Sequence, residues 1–467
     1  MNLAGKHVLI LGLGESGLAC ARWCDRQGAQ VRVADTRTTP PYLDELKSRV
    51  ASADFCAAQF NENFDKQLLE GIDLLVLSPG LSGGLIVVIH ARAQNIPVVG
   101  EIELFAQALR TLKQHVPVLA ITGTNGKTTT TALTGHLIAA TGRTVGIAGN
   151  ISPAALTALM DHQDRNALPQ AWVLELSSFQ LETTATLNAT AATVLNISDD
   201  HLDRYIDLDE YASTKARILQ GEGVQVLNRQ DAHVKGMALP GRPLITFGLD
   251  APADPADFGL RENRGANWLV QGDRYLLPVS ELPIPGLHNA ANALAALALC
   301  AAIGIDAVTL LPALRAFRGL PHRVEKVAEI AGVTYYDDSK GTNVGATVAA
   351  LQGLGGVGCK SVVILGGDGK GQNFSPLKSA VAKHARGVVL IGRDGPKIRA
   401  AIDGCGVPIL NAETLDEAVI AAAVRAQPGD AVLLSPACAS YDMFRHYEHR
   451  AEVFRTAVQT LAQGSGQ

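Results

Sequence analysis

An apolar run, Val116–Ile121, leads into Thr122-Gly123-Thr124-Asn125-Gly126-Lys127-Thr128-Thr129, and a helix-forming segment, Thr130–Ala140, follows at once. No other stretch restricts the fold as tightly. Glycines let the backbone curl until several N–H groups face one point, and the start of the helix adds positive potential there, which suits a phosphate. Lys127 has the reach for the outer phosphates of a nucleotide, and the Thr128 hydroxyl is placed for magnesium. A strict Walker loop carries a glycine where Ile121 stands. The bland alternative is a glycine turn between strand and helix, but the Gly-Lys-Thr-Thr order favours the nucleotide.

Such a loop belongs to an α/β architecture, and the rest of the chain repeats the pattern. Short β-branched runs followed by Ala/Leu-rich helical segments occur in three sets. The first comprises His7–Leu11, Val31–Ala34, Leu74–Leu77 and Pro97–Val99. The second comprises Val116–Ile121, Trp172–Leu176 and Thr193–Ile197 and closes with a helix over Asn289–Ile305. The third comprises Val333–Tyr336, Ser361–Leu365, Gly387–Ile391 and Asp430–Leu434. A chain of 467 residues is too long for one core, so three domains are expected, over residues 1–106, 107–319 and 320–467. Val224–Pro285, rich in Pro, Asp and Gly, reads as strands and loops inserted in the middle domain.

A net charge of -5 argues against a nucleic-acid footprint. The seven cysteines have no CxxC or zinc-like spacing, so reduced thiols are expected. The apolar N-terminal run is cut by Glu15, and the longest apolar stretch, Ala293–Ile305, reads as a buried helix. A soluble, cytoplasmic protein without a membrane partner is expected.

Gly12-Leu13-Gly14-Glu15-Ser16-Gly17 fits GxGxxG after a strand, and Asp35 stands at the spacing of a ribose-binding acid, with Arg37 beside it. The pattern reports a phosphate at a helix N-terminus rather than a nicotinamide, and other nucleotide diphosphates satisfy it equally.

Further candidates follow the middle strands. Glu175 ends an apolar run and suits magnesium; its plain reading is an exposed strand-end acid. His201, inside Asp199-Asp200-His201-Leu202-Asp203-Arg204, falls at the same sheet edge as Lys127. Lys215 carries no signal of its own and reads as a surface lysine. Asn289 and Asn292 share one helix face; Asn289 can be an N-cap, and Asn292 either meets protein partners or a purine edge. In the last domain the loops Asp337–Asn343, Gly366–Lys370 and Ser435–Ser440 follow predicted strands, where ligands of a doubly wound sheet collect. Their lysines and hydroxyls suit an acidic substrate, and the Arg323 guanidinium, just past the domain junction, can fold onto phosphate.

Taken together, Gly123–Thr129, Glu175–Glu182, Asp200–Tyr205, His288–Asn292, Leu320–Arg323, Asp338–Thr347, Leu365–Gly371 and Ser435–Asp442 resemble the Mur ligase family over essentially the whole chain. The last three segments point to its glutamate-adding member. The shorter loop without the Walker glycine is the family's own form. Leu81–His90 is more apolar than the family's pattern after Ser78-Pro79-Gly80.

The resemblance implies a Rossmann-like N-terminal domain, a central P-loop ATPase domain with a mostly parallel sheet, and a Rossmann-like C-terminal domain. It implies an ATP-dependent ligase joining UDP-N-acetylmuramoyl-L-alanine to D-glutamate through an acyl phosphate, acting as a monomer. The UDP end would lie against Ser16, Asp35, Thr36, Arg37 and Gly80, with Asn150 on the muramoyl part. ATP would contact Gly123–Thr129, Asn289, Asn292, Arg323 and Asp338, and D-glutamate would lie at Thr342, Lys370, Ser440 and Tyr447. Two Mg2+ ions (or Mn2+) are implied, one with Thr128 and Glu175 and one with His201 and a carbamylated Lys215. The base that deprotonates the incoming amine is left open between His201 and a nearby carboxylate.

Overall fold

A computed structural model describes residues 2–112, 115–201, 204–355 and 359–464. The first sheet is built from β1 (His7–Leu11), β2 (Gln30–Asp35), β3 (Asp54–Ala57), β4 (Leu74–Leu77) and β5 (Val98–Val99), in the order β3-β2-β1-β4-β5. All its pairings are parallel. The second comprises β6 (Val118–Thr122), β7 (Val145–Gly149), β8 (Ala171–Glu175), β9 (Ala191–Val194), β10 (Val224–Asn228), β11 (Leu244–Phe247), β12 (Phe258–Asn263), β13 (Ala266–Gln271) and β14 (Arg274–Pro278). Its order is β14-β13-β12-β11-β10-β9-β6-β8-β7; among the described residues only the first two of these pairings, β14 to β13 and β13 to β12, are antiparallel. The third comprises β15 (Glu325–Ile330), β16 (Val333–Asp337), β17 (Ser361–Gly366), β18 (Ala385–Ile391), β19 (Ile409–Asn411) and β20 (Ala431–Leu434), ordered β15-β16-β20-β17-β18-β19, with β15 antiparallel.

Parallel strands covered by helices on both faces read as unbroken apolar runs. Leu74–Leu77, Val118–Thr122, Ala171–Glu175 and Ser361–Gly366 are buried throughout. The Ala-rich helix Leu287–Ala302 packs on the helix Lys127–Ala139; Ala290, Ala293, Leu294 and Leu297 share a core with Leu133 and Leu137.

Several sequence expectations shift. The helix after the glycine loop begins at Lys127, because Gly126, at φ +84°, makes the turn into it. β9 ends at Val194 rather than Ile197, since the Asn196 side chain leaves the ladder to bond the Asn125 backbone. Val224–Pro285 does hold strands, but they extend the phosphate-loop sheet itself. β3, β7, β15 and β19 had not been anticipated. The helix Glu101–Thr111 runs across the expected boundary at 106/107. Among the described residues, no helix is long and apolar enough to cross a membrane.

Candidate active site

β6 lies between β8 and β9, so the loops leaving these three strands open side by side. Ile121 pairs with Glu175 and Thr122 with Val194. Lys127, Glu175 and the Asn196–His201 segment therefore share one sheet edge. Gly123, at φ +148°, packs so close to Leu195 that a Cβ would stand 2.9 Å from that side chain. At Gly126 a Cβ would fall 2.3 Å from Asn292 Oδ1, which ties the helix carrying Asn292 to the loop's tightest turn.

Lys127 Nζ donates to the carbonyls of Gly123 and Thr124, both at 2.8 Å. Burial lowers its pKa, while Glu175 and Asp200 nearby favour the charged form. Glu175 is buried; its Oε1 accepts from Asn150 Nδ2 at 2.9 Å, and its Oε2 has no partner. An unpartnered buried carboxylate oxygen at the end of β8, with the Thr128 hydroxyl in the first turn of the helix that leaves the neighbouring β6, offers hard oxygen donors of the kind that fit Mg2+.

The reading of Lys215 as a surface residue is overturned: it is 1% exposed. Its Nζ donates to Thr122 Oγ1 at 3.3 Å and lies 4.7 Å from the centre of the Tyr211 ring. Burial first, then the Lys127 charge, pushes its pKa well below the usual lysine value, which favours the neutral amine. The helix Leu208–Ala216 buries Tyr211, Ala212 and Lys215, and Ile218 and Leu219 continue that stripe. Lys215 occupies an apolar position of an amphipathic pattern, a signal present in the sequence. His201 has φ +56° and packs edge-on against Phe179 at 4.7 Å. From Phe179 the rings of Tyr205 and Tyr211 continue toward Lys215. Leu202 and Asp203 lie outside the described residues.

Asn289 is not the N-cap of its helix; Gly286 is. Asn289 Nδ2 donates to the Pro285 carbonyl at 2.8 Å, and Asn292 Nδ2 donates to Asn289 Oδ1 at 3.1 Å. The pair is thus wired together against the phosphate loop.

Arg323 crosses from the third sheet to the second, and its Nη2 donates to Thr128 Oγ1 at 2.6 Å. Burial lowers its pKa despite Glu175 and Asp338 nearby. Asp338 is buried, and desolvation pushes its pKa up to about 7, against a 2.6 Å hydrogen bond from Ser435 Oγ. Two more links bridge the same gap. Asn343 Nδ2 donates to Asn125 Oδ1 at 3.0 Å, and Lys370 Nζ lies 3.8 Å from Asp200 Oδ1. A cleft of about 300 Å³ beside them is lined by Ser198 and Asp199 on one side and Val344, Gly345 and Gln372 on the other.

The three C-terminal loops converge as their positions suggested. Asp368 and Ala439 exchange backbone hydrogen bonds at 2.9 and 2.8 Å, stitching the Lys370 loop to the Ser440 loop. Ser339 Oγ donates to the Tyr447 carbonyl at 2.8 Å, and Lys340 N lies within 3.2 Å of the His322 carbonyl. Thr342 N donates to the Lys340 carbonyl, and Ser440 is buried. The fully buried Arg450 holds two of the loops, donating to the Ser339 hydroxyl and carbonyl and to the Cys438 carbonyl. Arg450 went unnoticed in sequence because its partner Ser339 lies 111 residues away and nothing beside it in its helix marks it. Asn196, Asp200 and Asn343 lie inside segments the sequence singles out, but their linking roles were missed because each partner (Asn125, Lys370 and Asn125 again) is remote in sequence.

At the first sheet, the strand order reverses about β1, and the loops after β1, β2 and β4 border a cleft of about 340 Å³. Ser16, Asp35, Thr36, Arg37 and Gly80 all line it. Asp35 is largely spent internally: its oxygens accept from the Leu13 N–H at 2.7 Å and from Arg37 Nε and Nη2, both at 2.8 Å. Burial raises its pKa, but these bonds outweigh that and hold it down at about 2. The half-exposed Arg37 guanidinium is then the cationic group at the cleft. After Gly80, Val87 and Val88 are buried in the helix Ile86–Ala93, which accounts for much of the apolar Leu81–His90 segment.

Comparison with known proteins gives three matches in series. Residues 6–100 match the Mur ligase MurD-like N-terminal domain, residues 121–300 the Mur ligase middle domain, and residues 322–438 the Mur ligase glutamate ligase domain. The UDP-N-acetylmuramoylalanine--D-glutamate ligase of Aromatoleum aromaticum is 59% identical over 464 residues, covering 98% of each chain. The enzyme of that name from Nitrosospira multiformis is 54% identical, covering 99% of this chain and 97% of its own. Among solved structures, MurF from Acinetobacter baumannii superposes with a TM-score of 0.62 at 19% identity, covering 97% of this chain and 91% of its own. The UDP-N-acetylmuramate-alanine ligase MurC from Thermotoga maritima gives 0.58 at 21% identity, covering 97% and 99%. These two likenesses concern the fold. With matches along most of its length and full-length relatives above 50% identity, the chain belongs to the Mur ligase family.

Proposed function

We propose that this protein is an ATP-dependent ligase of peptidoglycan precursor synthesis that joins UDP-N-acetylmuramoyl-L-alanine to D-glutamate, releasing ADP and phosphate. The observation that carries the reading is the contact of Arg323 with Thr128, which sets the amino-acid loops of the third sheet against the phosphate loop of the second. We divide the chain into a UDP-substrate domain over 1–106, an ATP domain over 107–319 and an amino-acid domain over 320–467, acting as a cytoplasmic monomer where ATP is available.

A carboxylate is a poor electrophile, so the L-alanyl carboxylate is first phosphorylated by ATP; the D-glutamate amine then attacks the acyl phosphate, and phosphate leaves. Several anionic groups meet, so positioning and electrostatics dominate. The Arg37 cleft holds the uridine diphosphate end, with Ser16, Thr36 and Gly80 along it, and Asn150 faces the muramoyl part. Lys127 and Arg323 face the transferring phosphoryl group, Gly123–Thr129 cradle the phosphates, and Asn289, Asn292 and Asp338 hold the nucleoside. Thr342, Lys370, Ser440 and the Tyr447 backbone receive the two carboxylates of D-glutamate. Thr128 and Glu175 would hold one Mg2+, and His201 with a carbamate on Lys215 a second; the buried, charge-depleted Lys215 amine supports that adduct. Bound there, the ions would neutralise charge that builds on the phosphoryl oxygens.

The test is phosphate release from ATP with Mg2+ and UDP-N-acetylmuramoyl-L-alanine across a panel of D- and L-amino acids. Release that requires D-glutamate is expected. Release with a different amino acid moves the specificity to a sister ligase, and release indifferent to amino acid overturns the reading.

A further inference from the structure

Arg323 sits on a loop with unfavourable backbone on both sides: φ is +61° at His322 and +49° at Val324. Side-chain-bearing residues adopt that region at a cost and stay there only where the surroundings hold them. His322 is held at three points. Its N–H donates to Glu325 Oε2 at 2.9 Å, its carbonyl accepts from Lys340 N at 3.2 Å, and its ring Nδ1 lies 2.7 Å from Asp337 Oδ2.

Two of those three anchors are carboxylates that face each other, since Glu325 and Asp337 are register partners across β15 and β16. Like charges so placed repel, and Asp337 is fully buried. Ligand atoms of His322, Glu325 and Asp337 lie within 4.8 Å of one another, close enough to share a cation. A guanidinium fills that role: Arg455, from the helix Tyr447–Gly464, pairs through Nη2 with Glu325 Oε2 and through Nε with Asp337 Oδ2 at 3.3 Å.

We infer that Arg455 is a positioning residue for the ligase reaction: by neutralising Glu325 and Asp337 it keeps His322 anchored and so fixes Arg323 against the phosphate loop. This rests on the reading of Arg323 as a group that contacts ATP.

A double-mutant cycle on the full-length enzyme separates the two ideas. Turnover, the KM for ATP and for D-glutamate, and thermal midpoints are measured for Arg455→Ala, Arg323→Ala and the double variant. Arg455→Ala is expected to lower kcat roughly tenfold, the scale of a small misplacement of a catalytic group, leaving the KM for D-glutamate within about twofold. In the Arg323→Ala background the same change should cost nothing further, because its only route to the chemistry is gone. Arg455→Lys, which keeps the charge but not the fork, should restore part of the loss. Equal losses in both backgrounds, or no loss from Arg455→Ala, overturn the inference. An Arg323→Ala enzyme with unchanged kcat overturns the underlying reading instead. Should Arg455→Ala fail to fold, Arg455→Gln, which can still hydrogen-bond both carboxylates, replaces it in the cycle with the same criteria.

Discussion

Arg323 Nη2 donates to Thr128 Oγ1 over 2.6 Å, joining a loop that precedes the third sheet to the first turn of the helix that starts at the phosphate loop. Two residues 195 positions apart thereby touch, and on the proposed reading both face the transferring phosphoryl group. Arg323→Ala should lower kcat roughly 10²–10³-fold, the range for removing one preorganised charge-stabilising donor. Arg323→Lys should recover little of it, since an ammonium lacks the planar fork. Steady-state kinetics at saturating ATP check this; a change confined to KM would place Arg323 outside the chemical step.

Lys215 is predicted to carry a carbamate. Its amine is buried and held well below the ordinary lysine pKa, and the neutral amine is the form that takes up CO2. With ¹³C-labelled bicarbonate, the wild-type protein should show one slow-exchanging carbamate carbon resonance that Lys215→Ala lacks. A spectrum without that resonance would remove the second metal site from the account.

Glu175 supplies the unpartnered buried oxygen at the end of β8. Glu175→Gln preserves an acceptor for Asn150 but loses the charge. The Mg2+ concentration for half-maximal activity should rise roughly tenfold or more. An unchanged Mg2+ titration would assign Glu175 to architecture alone.

How much of this was legible beforehand depended on whether a feature is local. The phosphate loop, Glu175 and the strand-end loops of the third sheet carry their chemistry in a few consecutive residues, so sequence suffices to find them. Lys215 depends on which face of its helix is turned inward; the buried set Tyr211, Ala212 and Lys215, continued by Ile218 and Leu219, is visible only once the helix register is taken seriously. Asp35 reads by spacing as a ligand group, yet its hydrogen-bonding capacity goes largely to Leu13 and Arg37. Arg450 and Arg455 act over 111 and 130 residues of sequence separation, on Ser339 and Glu325. No spacing rule reaches that far.

Glu101 makes a prediction about stability. It is 2% exposed; its Oε1 accepts from the Leu156 N–H at 2.6 Å, and Oε2 has no partner. Burial above all, with some help from Glu15, raises its pKa from 4.5 to about 7. Because the folded value is raised, the associated stability is fully present below pH 4.5 and is lost as pH climbs through 7. The integrated loss is about 3 kcal/mol. Glu101→Gln, neutral at every pH and still an acceptor for Leu156, should therefore lose less of its melting temperature between pH 5 and pH 8 than wild type, by a few degrees. Parallel melting-temperature curves would contradict the assignment.

The central claim is that an ATP phosphoryl group activates the L-alanyl carboxylate before D-glutamate attacks it. UDP-N-acetylmuramoyl-L-alanine labelled with ¹⁸O in that carboxylate, turned over with ATP, Mg2+ and D-glutamate, tests it directly by mass spectrometry of both products. The account predicts one ¹⁸O atom in the released phosphate for each D-glutamyl amide formed. Amide formed with unlabelled phosphate, or phosphate released without the amide, would contradict it.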